Sequence, residues 1–66
     1  MFTGMMNINP GIKSGLRQPF TITVAGQTFF LTHDESRGVI EWNMFIDDEH
    51  MKAYVEKILK NYLTNQ

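Results

Sequence analysis

The chain has no cysteine, which removes disulfides and thiolate-held metals, two of the common ways in which a small protein is stapled together. That fits a reducing compartment. There is also no surplus of charge: six Lys and Arg stand against seven Asp and Glu, so the formal net charge is −1 and no positive field awaits a polyanion or an anionic membrane surface. No apolar run approaches the roughly 20 residues that span a bilayer. Met1 to Met6 carries no basic residue and runs into Asn7 and Asn9, the wrong pattern for a secretory signal. A cytoplasmic protein without a membrane partner is the expectation.

Histidine is scarce as well. With two histidines and no cysteine there is no Ser/His/Asp or Cys/His constellation to assemble, and Gly11, Gly15, Gly26 and Gly38 stand in separate turns and not in a phosphate-cradling loop. Neither an enzyme nor a cofactor is expected. At 66 residues a single core rarely supplies more than about 3 to 5 kcal/mol, and small scaffolds add disulfides, a metal or another subunit. A homodimer or a protein partner follows by elimination.

The clearest element present is a helix over Asp47 to Leu63. Met51, Tyr54, Val55, Ile58, Leu59, Tyr62 and Leu63 recur with the three-and-four spacing that puts them on one face at about 100° per residue. Lys52, Glu56, Lys60 and Asn61 take the other side. Asp47 is placed to cap the free N–H groups of the first turn, with Ile46 and Met51 set as a hydrophobic staple.

Ahead of the helix the period changes to two. Phe20, Ile22 and Val24 alternate with Thr21 and Thr23, Phe29 and Leu31 share a face in Thr28 to Thr32, and Ile40, Trp42 and Met44 alternate with Val39, Glu41 and Asn43. A turn at Gly26 and Gln27 would pair Val24 with Phe29, whereas one at Ala25 and Gly26 shifts the register by two and keeps every side chain on its face. The polar stretch His33 to Gly38 joins the second strand to the third, with Leu31 opposite Ile40 and Phe29 opposite Trp42. The fold class is therefore α+β: a three-stranded antiparallel β-meander with one C-terminal amphipathic helix on one face, in the order β-β-β-α, over residues 19–66. Trp42 is expected in the core between sheet and helix. Residues 1–18 form an N-terminal arm, irregular or with a short helix from Asn9 to Leu16, in which Phe2 and three methionines offer adaptable apolar contact.

One helix covers one sheet face, and parity decides what the other presents. If Phe29 and Leu31 pack under the helix, Phe30 points away from it, joined by Val39 and by Phe45 if the third strand runs on, with Thr21 and Thr23 as a polar border. A partner-binding face at Phe30, Val39, Thr21, Thr23 and Phe45 is expected. The size suits a stand-alone inhibitor or adaptor of the kind encoded by phages or mobile elements. The alternative is a small nucleic-acid-binding domain, with Lys13, Arg17 and Arg37 along one edge of the same face and Phe30 stacking on a base. Two histidine-containing acidic clusters, His33-Asp34-Glu35 and Asp47-Asp48-Glu49-His50, have donors for a divalent metal but lack convergent spacing. Capping and turn roles account for them, and no metal is expected.

Overall fold

A computed structural model describes residues 6–65. It is α+β, with a single antiparallel sheet and a C-terminal helix, but the sheet has four strands where three were expected. They run in the order β1 (Met6–Pro10), β2 (Arg17–Val24), β3 (Gln27–Asp34) and β4 (Val39–Trp42), followed by α1 (Glu49–Thr64). The added strand comes from the segment read as an arm. Met6 and Ile8 alternate with Asn7 and Asn9, and this short period-two run pairs along β2 with Ile8 opposite Ile22 and Asn9 opposite Thr21. The helix from Asn9 to Leu16 does not form, because the backbone there bonds to the sheet: Gly11 N–H donates to the Pro19 carbonyl at 2.8 Å, and Ser14 and Arg17 bridge a turn at Gly15. The apolar contacts expected of Met1, Phe2 and Met5 lie outside the described residues.

The first hairpin turns at Ala25 and Gly26, not at Gly26 and Gln27, so Ile22 faces Phe29 and Phe20 faces Leu31. Both turn residues have positive φ, 51° and 80°, which gives the mirror-image turn whose twist matches the flanking strands. In the second hairpin β3 continues through His33 and Asp34, leaving Glu35 to Gly38 as the loop. Trp42 thus meets Leu31 and Ile40 meets His33, two residues from the expected register and on the expected faces. The longer β3 follows from Asp34, which accepts the Gly38 N–H on its backbone oxygen and the Ser36 N–H and hydroxyl on its carboxylate, closing the loop at its base. β4 ends at Trp42, so Met44 and Phe45 belong to the connection into α1.

The helix starts one residue later than expected. Asp48, not Asp47, is the N-cap: its carboxylate accepts from the N–H groups of His50 and Met51, both at 3.1 Å. Ile46 and Met51 are consequently off the staple positions, although both are half-buried against the core. Phe20, Ile22, Val24, Phe29 and Leu31 from the sheet close on Val55, Ile58 and Leu59 from α1. Phe20 meets Tyr62 edge-on, with ring centroids 5.8 Å apart. Tyr54, read as part of the buried stripe, is exposed at its margin. Trp42 sits at the rim of the core and not inside it, edge-on to Phe29 at 6.0 Å, with its indole N–H donating to Glu56 at 2.6 Å. The rim position follows from β4 being an edge strand, with a neighbour on one side only among the described residues.

Candidate interaction face

Strand parity lays out the face turned away from α1. Asn7 and Asn9 come from β1, Arg17, Thr21 and Thr23 from β2, Thr28, Phe30, Thr32 and Asp34 from β3, and Val39 and Glu41 from β4. Thr21 stands directly opposite Phe30, and Thr23 opposite Thr28. Phe30 is 46% exposed, which is high for an aromatic in an inner strand. Val39 is exposed at the β4 edge. The structure therefore brings Phe30, Thr21, Thr23 and Val39 onto one surface. Phe45 is 84% exposed, but it follows the end of β4, so strand parity no longer assigns it to this face.

The face has two unlike halves. Toward the β2–β3 turn it is uncharged, made of Asn7, Thr21, Thr23, Thr28 and Phe30. Toward the opposite end lies a cross-strand charge cluster. Arg17 donates to Glu41 at 2.7 Å and to Asp34 at 3.2 Å, while Arg37 lies 3.2 Å from Glu41 and 3.8 Å from Asp34. Lys13, from the β1–β2 connection, meets Glu35 at 2.6 Å. Three cations thus face three carboxylates.

The electrostatic consequences follow from these contacts. Hydrogen bonds from the Ser36 hydroxyl and from the backbone N–H groups of Ser36 and Arg37, together with the Arg17 charge, outweigh burial and lower the Asp34 pKa. The Arg17 hydrogen bond lowers Glu41 and the Lys13 hydrogen bond lowers Glu35, and Glu41 in return raises Arg17. Asp34 is 4% exposed, and no buried side-chain polar atom among the described residues lacks a partner. Just past the end of β4, Asn43 Nδ2–H donates to the Thr32 hydroxyl on β3 at 2.8 Å.

Lys13, Arg17 and Arg37, the residues of the nucleic-acid alternative, are therefore brought to one end of the face and each is matched there by an acid. The same alternation disperses the first histidine-containing cluster. His33 lies on the helix side of β3 and Asp34 on the other, and Asp48 of the second cluster is occupied in capping α1. Among the described residues no three His, Cys, Asp or Glu side chains converge as metal ligands would. No described helix is long and apolar enough to cross a membrane.

Sequence reasoning missed the charge cluster because it ended the second strand at Thr32. Extending that strand by two residues, and beginning β2 at Arg17, which the sequence reading left in the arm, puts Arg17 opposite Asp34, and Arg37 and Glu41 were already four apart. Comparison of the chain with protein-family models, with curated proteins and with solved structures gives no match.

Proposed function

We propose that the chain is a small non-enzymatic protein-protein interaction module that binds a macromolecular partner through the sheet face centred on Phe30. The supporting observation is the large exposed aromatic in an inner strand, set among Thr21, Thr23 and Thr28 on an uncharged half-face. Such a surface loses little on desolvation, since threonine offers methyl groups beside a hydroxyl and carries no charge to strip of water. A stand-alone inhibitor or adaptor acts in this way, by occupying a surface and without chemistry.

The nucleic-acid alternative has less support. Phosphate binding draws its affinity from cations free to replace counterions, and the cations nearest this face are already engaged by carboxylates.

The test compares wild type with Phe30→Asp for retention of partners from lysate, with and without nuclease, and uses far-UV circular dichroism as the folding control. The expected result is a folded variant that loses protein partners which wild type keeps after nuclease. If partners vanish from wild type on nuclease treatment, the alternative stands instead. A folded Phe30→Asp that keeps every partner removes this face from consideration.

A further inference from the structure

We propose that β4 is a dimerisation edge, which pairs antiparallel with β4 of a second copy about a two-fold axis at Ile40. The first support is the direction of the backbone groups. Asn43 N–H donates to the Phe30 carbonyl at 2.9 Å, and with Leu31 opposite Trp42 this fixes the alternation along β4. Val39, Glu41 and Asn43 turn their peptide groups toward β3, so those of Ile40 and Trp42 turn outward to an edge with no further strand among the described residues.

The second support is register. Two identical strands that pair antiparallel about a two-fold axis keep their faces, and only Ile40 against Ile40 or Glu41 against Glu41 at the axis pairs three residues of each four-residue β4. The latter opposes like charges. The former places an outward-directed residue at the centre, where both copies exchange N–H and C=O bonds, and sets Val39 opposite Glu41 of the second copy. Arg37, which already reaches Glu41 at 3.2 Å alongside Val39, then borders the second copy's Glu41 as well.

The third support lies on the helix side of the same edge, where a groove of about 550 Å³ opens between His33, Val39 and Ile40 on the sheet and Glu56, Lys60 and Leu63 on α1. Ile40 of a second copy projects on this side, against apolar Ile40 and Leu63. Glu56 and Lys60 are one helical turn apart and opposite in sign, and Lys60 has no carboxylate within ion-pair distance among the described residues. A two-fold axis lets Glu56 of each copy face Lys60 of the other. That self-complementarity favours a second copy over a strand from an unrelated partner.

Antiparallel edge pairing has its axis perpendicular to the sheet. The two helices would stand on one side of a continuous eight-stranded sheet, and both Phe30 faces would lie side by side on the other. The inference does not depend on the Phe30 reading. A four-residue edge and one groove fall short of the roughly 800 Å² per partner of a standard interface, so dissociation is expected on dilution through about the micromolar range.

The experiment follows amide exchange by NMR alongside mass by sedimentation over a range of concentrations. The amides of Ile40 and Trp42 should gain protection in step with the dimer fraction, while those of Glu41 and Asn43 stay protected throughout. A monomer at all concentrations overturns the proposal, as does a dimer whose Ile40 and Trp42 amides exchange freely. Ile40→Pro removes an N–H that the β3 ladder does not use. It should give a monomer with wild-type circular dichroism, and a folded, dimeric Ile40→Pro also overturns the proposal. If that variant unfolds, Lys60→Glu serves in its place: it leaves only carboxylates facing across the axis and should weaken the dimer at least tenfold, and an undiminished dimer would count against the proposal. Partner retention by Phe30→Asp reads the other face, so either reading can fail alone.

Discussion

Individual residues carry the sharpest consequences. Ala25 adopts φ 51° ahead of Gly26 at φ 80°, a left-handed conformation that costs an alanine about 1 kcal/mol and suits asparagine better. Ala25→Asn should raise stability by about 0.5 to 1 kcal/mol in urea titration, and a loss would mean that the turn is not of this type. Trp42 tests the rim of the core. Trp42→Phe keeps most of the ring contact with Phe29 and removes the indole N–H bond to Glu56, so about 1 kcal/mol is expected. Trp42→Ala also empties the site and should cost about 3 kcal/mol. Equal costs would show that packing contributes nothing beyond the hydrogen bond. The facing of Trp42 was legible in the strand alternation. Its rim position was not, since alternation says which side a residue faces and nothing about how far it lies from the sheet edge.

Among the elements, the helix start moves the cap from Asp47, where the sequence pattern placed it, to its neighbour Asp48. Only Asp48 accepts the N–H groups of His50 and Met51, so Asp48→Ala should cost about 1 kcal/mol in urea denaturation and Asp47→Ala close to nothing. The reverse order would move the cap back to Asp47. A one-residue choice of this kind depends on where the connection from β4 delivers the chain, which no local pattern encodes. β1 was missed for a related reason. Met6 to Pro10 is short, and its alternation of two apolar residues with two asparagines is a weak signal until β2 stands beside it to bond with.

For the whole molecule, the charge cluster predicts how stability responds to acid. Asp34, Glu35 and Glu41 each have a folded pKa below the ordinary value of 3.8 for Asp or 4.5 for Glu. Their contribution is therefore complete above those ordinary values and is lost as pH falls through the lower folded ones. The Glu41 hydrogen bond raises Arg17 further above its already high ordinary value, so its contribution is present throughout the working range. The urea midpoint should hold level from neutrality to about pH 5 and decline below about pH 4. Glu41→Gln should make that acid limb shallower, and an unchanged limb would show that the cluster does not set it. The sequence by itself determined the α+β class, the apolar stripe of α1 and the facing of strand residues 20–24, 28–32 and 39–42, because periods of two and of three to four are local and survive a shift of register by two. Tertiary structure alone decided the fourth strand, the pairing of Arg17 and Arg37 with Asp34 and Glu41, and which strands lie at the edges of the sheet formed by the described residues. These depend on which segments meet across the sheet, and that is fixed by long-range hydrogen bonding and burial that no single stretch contains.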